Sequence, residues 1–339
     1  MLRRRKISAI LLMFAAAHLG IVFAGFFAPY APAEQHREFA YTPPVLWHLV
    51  GLNHHLHIRP FIYRTLPVEG EGFHYTEDRK SEYPVRFCTR TPDGLRLLAV
   101  DPPAKLFLLG TDGYGRDILS RVLFGGRISL LAAGVATLLS LVIGVLLGAI
   151  AGHFGGAIDT LIMRGAELVL ALPWIYLLLA IRASLPLHVD PTRTLLLLSA
   201  VIGVMGWARP ARLIRGVVLS ARERPFVTAA RGFGASEWYL LRRHVLPETL
   251  GIVTVQAVSL IPQFVAAEAT LSFLGLGIGE PVPSWGNMLS AFQHFQTASS
   301  YWWMVAPLVA LVTVSFTYFV LADALHQKGA RIDSGESYA

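Results

Sequence analysis

The chain has 339 residues, of which 54% are hydrophobic and only 15% charged. A soluble domain carries about 25% charged residues, so membrane lipid is the expected surrounding of much of this chain. The net charge of +7 does not mark a nucleic-acid face, because the basic residues flank apolar runs, the pattern of membrane boundaries.

Arg3, Arg4, Arg5 and Lys6 precede an uncharged run from Ile7 to Phe27, 21 residues long. As a helix this covers about 31 Å, enough to cross a bilayer. Ala31-Pro32-Ala33 imitates a signal-cleavage site, but a signal's apolar core is only about 7–15 residues. Residues 1–27 are therefore read as a cytoplasmic N-terminus and an uncleaved first span. His18 within it is expected to pack against a neighbouring helix.

Residues 28–126 are polar, rich in aromatics and broken by Pro43-Pro44, Pro84, Pro92 and Pro102-Pro103. This is an extracytoplasmic insert, long enough to escape the positive-inside rule. It is expected to cap the outer face rather than fold as an independent domain. His54, His55 and His57 invite a metal reading. A strand could not aim all three at one point, and no Cys or carboxylate lies within five residues. The ligand pattern of a metal site is missing, so no metal is expected. Cys88 is the single cysteine and allows no internal disulfide.

Residues 127–325 carry the remaining spans, at about 128–152, 165–182, 194–212, 250–274 and 303–322. Ile128 to Gly152 holds no charge, and Gly144, Gly148, Gly152 and Gly156 recur every four residues. Small residues at that interval line one helix face and let another helix pack closely. Gly152 to Asp159 is read as a short cytoplasmic turn. The third span contains Glu167, three residues after Arg164, a spacing that allows a same-face ion pair. The fourth is short and extends into an Arg-bearing segment, with Arg212 and Arg215 snorkelling. The fifth contains Pro262 and Glu268. An ionisable residue within a span faces protein or a water-filled path. Glu268 is therefore an intramembrane candidate, either functional or a sheltered structural carboxylate. Residues 275–301 contain no Lys or Arg and are read as external, with Trp285, Trp302 and Trp303 at the interface. The last span ends at Asp323, and 326–339 is a cytoplasmic tail.

Between the fourth and fifth spans lies a polar island, 223–247. From Arg209 to Thr249 there are eight Arg against three acids, which places this loop inside. Pro225 suits the first turn of a helix. Gly234 suits the position past a helix end, where φ turns positive. Ser236 can cap a second short helix, and Pro247 is expected to stop it. Thr228, Ala229 and Ala230 offer small side chains to a partner surface. The loop is thus read as a helix–turn–helix hairpin.

Thr228-Ala229-Ala230, three residues, Gly234, nine residues and His244-Val245-Leu246-Pro247 resemble the "EAA" loop of ABC-importer permeases, with Thr228 in place of the first Glu. Leu109-Gly110-Thr111-Asp112 with Gly115-Arg116-Asp117 resembles the LGTDxxGRD segment of the dipeptide, oligopeptide and nickel branch. Glu268 to Gly277 with Pro283-Ser284-Trp285-Gly286-Asn287-Met288 is similar to its AEASLSFLGLG…PSWGNM segment. The resemblance covers roughly residues 105–325. It implies an all-α transmembrane fold of six spans, the type I importer permease, with a cytoplasmic coupling hairpin and a long external loop after the first span. It implies as partners a second homologous permease chain, two ATPase subunits or domains that bind the ATP, and an extracytoplasmic solute-binding protein. Peptides or a related small solute are the implied cargo.

The chain has no GxxxxGK[ST], HExxH or GxSxG. It should not bind ATP by the first device, and it is expected to be no enzyme and to need no cofactor of its own. An alternative is an ion-coupled secondary transporter using Glu167 and Glu268. Another is a membrane enzyme built on the insert, which would need a nucleophile–base pair that is not recognisable.

Overall fold

The computed structural model describes residues 2–50, 56–68, 73–92, 94–184, 186, 190–293 and 300–333. His54 and His55 of the metal reading fall outside them. The chain forms two compact units. One is built on Leu130–Leu271 with the two end segments of the chain; the other comprises Leu12–Ser129 and Ser272–Thr313.

The elements in order are α1 (Leu2–Val22), α2 (Ala24–Phe27), β1 (His48–Val50), β2 (Leu56–Pro67), β3 (Tyr75–Pro84), β4 (Arg86–Thr91) and β5 (Gly94–Ala99). Helices follow: α3 (Ile118–Phe154), α4 (Gly156–Ala171), α5 (Trp174–Ala183), α6 (Pro191–Met205), α7 (Ala208–Arg222), α8 (Pro225–Gly232), α9 (Glu237–Leu240), α10 (Leu250–Phe273), α11 (Trp285–Leu289) and α12 (Ala306–Asp333).

Among the described residues, three helical stretches are long and apolar enough to cross a membrane: Ile118–Phe154, Glu237–Phe273 and Trp302–Gln327. Two bent pairs raise this to five, and the shorter apolar helix Ile10–Val22 lies within α1. The bends have local causes. At Leu172–Pro173 the missing proline N–H and the crowding of the residue before it break the helix. Leu172 turns extended there, at φ −78° and ψ 137°, and α4 and α5 meet at 89°. The expected third span is thus two helices at a right angle. The pair α6 and α7 bends by 43° at Gly206–Trp207. Asp190 caps α6 by accepting from the Thr192 N–H at 3.0 Å, and Pro191 takes the first helical position.

The first unit packs on glycine. A Cβ on Gly148 would stand 2.5 Å from the Ala211 carbonyl oxygen, and one on Gly144 2.7 Å from Pro210 Cβ. A Cβ on Gly152 would reach Val218 at 2.8 Å. The three glycines therefore admit the backbone of α7. Gly156 does not share that face. It follows the break between helices at Gly155, has φ +56° and meets nothing within 4 Å, because α3 ends at Phe154.

The second unit departs from the expectation of a loop. Five strands lie in this unit, a three-stranded antiparallel sheet, β1-β2-β3, and a two-stranded one, β4-β5, among the described residues. Ile62, Val85, Leu98, Ala104 and Leu106 are buried together as a small core. Pro60 sits in the central strand, where a proline ordinarily breaks the ladder. It is accommodated because β1 pairs irregularly across it, His48 with Phe61 and Val50 with Leu56. The insert is also bound to residues 272–313. Ile118, Met288, Trp303 and Met304 form a second core, and Trp303 Nε1 donates to the Thr111 carbonyl at 3.1 Å.

Candidate functional site

The hairpin is closed by backbone geometry. α8 starts on Pro225 and ends in the αL turn that Gly234 allows, at φ +84°. The Gly234 N–H donates to Arg231 O at 3.0 Å and the Ala235 N–H to Ala230 O at 3.1 Å. This is the Schellman pairing, which satisfies the last carbonyls of a helix. Ser236 then accepts from the Tyr239 N–H at 3.3 Å and starts α9. Arg231 ties the two arms by donating to Glu237 at 2.8 and 3.2 Å.

Pro247 does not stop the second arm. Past α9 the chain makes a π turn over Leu241–Val245, then a 3₁₀ turn over Leu246–Thr249, and continues as α10. The wider turn before Pro247 accommodates its missing donor, so the arm runs into the fifth span without a gap.

One face of the hairpin is anchored. Leu241 and Val245 pack with Ala149, Ile214, Val218 and Ala221, and Val227 is fully buried. The other face is open. Phe233 is 92% exposed and Trp238 69%, with Phe226 and Tyr239 exposed beside them. Thr228 and Ala229 are exposed and Ala230 half-buried. Thr228 Oγ1 is used locally, donating to Arg224 O at 3.3 Å. His244 is half-buried between the rings of Phe226 and Tyr239, at 5.9 and 5.6 Å.

Within the helices, Glu268 is completely buried, as the cost of an intramembrane carboxylate requires. Glu167 is exposed and accepts from Arg164 at 3.1 Å. Arg215 does not snorkel. Its guanidinium grips Asp159 of α4 with two hydrogen bonds, Nη2 reaching Oδ2 at 2.5 Å. The pair has no local signature in the sequence, its members lying 56 positions apart.

A second polar cluster lies in the other unit. Asp112 accepts from the N–H groups of Tyr114 and Arg116, at 2.9 and 3.0 Å, and from Arg116 Nε at 2.7 Å. Arg116 also donates to Glu280 at 2.5 and 3.1 Å, and Arg121 donates to Glu280 at 2.8 Å. Burial alone would lower the Arg116 guanidinium, but Glu280 and Asp112 together hold it above its ordinary value. Asp117 caps α3, accepting from Ser120 N and Oγ at 2.7 and 2.6 Å. Burial pushes its carboxyl up to about 7, against those bonds. The GRD motif exposed half of this cluster in the sequence. Glu280, 164 positions from Arg116, had no local signal.

The family model described as "binding-protein-dependent transport system inner membrane component" matches residues 144–330. A peptide permease protein of Brucella suis biovar 1 (strain 1330) is 37% identical over 236 residues, 69% of this chain and 76% of that one. The dipeptide transport system permease protein of Bacillus subtilis (strain 168) is 36% identical over 224 residues, 66% and 68% of the two chains. The oligopeptide transport system permease protein of Escherichia coli (strain K12) is 36% identical over 216 residues, 64% and 69%. Among solved structures, inward-facing conformations of the MetNI methionine ABC transporter match with a TM-score of 0.45 and 20% identity. That match covers 61% of this chain and 95% of the other. The chain belongs to the inner membrane components of binding-protein-dependent transport systems: it is a multi-pass permease subunit of an ABC importer, and ATP hydrolysis falls to separate ATPase subunits.

Proposed function

We propose that this permease conducts peptides across the inner membrane and that its hairpin, residues 225–246, receives the motion of an ATPase. The observation that carries the second half is the hairpin's open face, where Phe226, Phe233, Trp238 and Tyr239 are exposed around a Schellman-closed turn. Exposed apolar patches of this kind mark interaction sites. The relatives named for peptides, dipeptides and oligopeptides support the cargo class.

In this reading a second, homologous permease completes the pathway, two ATPase subunits or domains hold the ATP, and a solute-binding protein delivers the peptide outside. Both termini and the hairpin face the cytoplasm, and this chain holds no cofactor. Ala229 and Ala230 leave room for the ATPase surface, and the anchored inner face of the hairpin carries its displacement to α7 and α10.

The test combines capture and uptake. Ala230→Trp adds bulk where the partner approaches, and overpacking typically costs about 1–3 kcal/mol. Gly234→Val forces a β-branched residue into positive φ. Both variants should insert normally, yet lose ATPase co-purification and uptake of labelled di- and tripeptides together. Ser81→Trp, on exposed β3, should change neither. Undiminished ATPase capture in both hairpin variants would refute the coupling role. Failure of the wild-type importer to take up any peptide would refute the cargo.

A further inference from the structure

The Arg116–Arg121 cluster borders a cavity of about 480 Å³. Its wall includes Tyr41, Asn287, Met288, Met304 and Pro307. We infer that this cavity is a receptor for a single carboxylate, the C-terminal carboxylate of a peptide, and that Glu280 occupies the receptor when no peptide is bound. The inference rests on the peptide reading above and deepens it.

The donors are built in and the acceptor is not. The Arg116 and Arg121 side chains are 6% and 1% exposed, whereas that of Glu280 is 46% exposed. Arg116 is locked from behind by Asp112 at its Nε, and Arg121 by the Pro32 carbonyl at 3.3 Å. Three N–H groups, two from Arg116 and one from Arg121, converge on the two Glu280 oxygens at 2.5, 3.1 and 2.8 Å. A planar fork of this kind matches a carboxylate, not a point charge. Glu280 lies on the segment between α10 and α11, lines the same cavity and is the exposed member of the cluster. A ligand carboxylate arriving through the cavity would meet the same three donors.

Charge counting gives the stoichiometry. Arg116 and Arg121 contribute two positive charges and Asp112 one negative. With Glu280 withdrawn these three groups, apart from the Asp117 carboxyl that is engaged by Ser120, carry one positive charge, which one carboxylate neutralises. With neither present, a buried guanidinium would stand uncompensated, which is strongly unfavourable. An internal carboxylate is therefore required whenever the site is empty of ligand. The cavity volume lies in the range of about 300–1,000 Å³ common to small-molecule sites. Its apolar wall of Met288, Met304 and Pro307 suits a peptide side chain better than a bare inorganic anion.

The experiment uses the full chain in the assembled importer, reconstituted in nanodiscs. The probe is a fluorescently labelled Ala-Ala-Phe, as the free acid and as the C-terminal amide. Glu280→Gln keeps the shape of the internal group and weakens its charge-assisted bonds, so it should bind the free acid about tenfold tighter than wild type. The amide should bind equally weakly to both. Glu280→Ala should agree with Glu280→Gln if it assembles, and Arg116→Gln in the Glu280→Gln background should abolish the acid preference. Equal binding of acid and amide to Glu280→Gln would overturn the inference. So would a change confined to capture of the solute-binding protein, which would make Glu280 a docking contact. Uptake separates the two levels. Peptide uptake without acid preference sinks the carboxylate site alone; acid preference without peptide uptake sinks the peptide-import reading alone.

Discussion

Two residues carry opposite kinds of constraint. Gly148 is held by absence of bulk. A Cβ there would sit 2.5 Å from Ala211 O and 3.1 Å from Ala211 Cα, both backbone atoms, so α3 and α7 would have to separate. Gly148→Ala should lower thermal stability by about 1–3 kcal/mol, the usual scale of overpacking. Gly134 lies in the same helix with nothing within 4 Å, and Gly134→Ala should be neutral or stabilising, since Gly in a helix interior costs about 0.5–1 kcal/mol relative to Ala. Equal melting of the two variants in detergent would refute close packing at Gly148. Glu268 is held by polarity. It is fully buried, and Gln preserves its size and its hydrogen bonding. Glu268→Gln should assemble at wild-type level, whereas Glu268→Ala removes a fully buried polar group and should reduce the yield of assembled importer. Wild-type assembly of the Ala variant would show that the carboxylate is not a structural group.

At the scale of elements, the broken helix α4–α5 is positioned by a charged clasp as well as by packing. Arg215 on α7 grips Asp159 in the first turn of α4 with a two-bond fork. The side chains are only 32% and 17% exposed, so solvent screens the pair incompletely. A double-mutant cycle with Asp159→Asn and Arg215→Gln should give a coupling of about 1 kcal/mol, the upper part of the range for pairs near a surface. Additive single and double variants would reduce the clasp to a contact without energy. The same logic explains the second arm of the hairpin. Leu241 and Val245 bury their side chains against α7, and the π turn around them lets Pro247 enter a continuous helical path rather than end one.

The whole molecule makes a statement about sides. In the proposed orientation the β-rich segment lies outside and the hairpin inside. Cys88 is the only cysteine and is exposed on β4, so it is a built-in reporter. A membrane-impermeant thiol reagent applied to intact spheroplasts should label wild type and not Cys88→Ala. In that background Ser81→Cys should label from outside, and Ser236→Cys only after the membrane is opened. Labelling of Ser236→Cys from outside would invert the orientation.

Chain-local physics was legible in the residues alone. Apolar run length marked the crossing helices because a bilayer demands a minimum length of uncharged helix. Pro225, Gly234 and Ser236 marked the hairpin because each suits one backbone position in a helix–turn–helix. Gly144, Gly148 and Gly152 marked a packing face because their spacing follows the helical turn. Tertiary structure alone decided the rest. That α7 is the helix lying on those glycines, that Arg215 meets Asp159, and that Glu280 closes the fork of Arg116 and Arg121 are pairings across long stretches of chain, with no local signature. The strands of 48–99 were hidden for a related reason. Pro84 and Pro92 read as breaks and stand at the end of β3 and in the turn after β4, whereas Pro60, inside β2, is compatible with a sheet through the irregular pairing of a neighbouring strand. Sequence determines what each segment can do by itself; which segment satisfies its leftover charge, donor or surface is settled when distant parts of the chain meet.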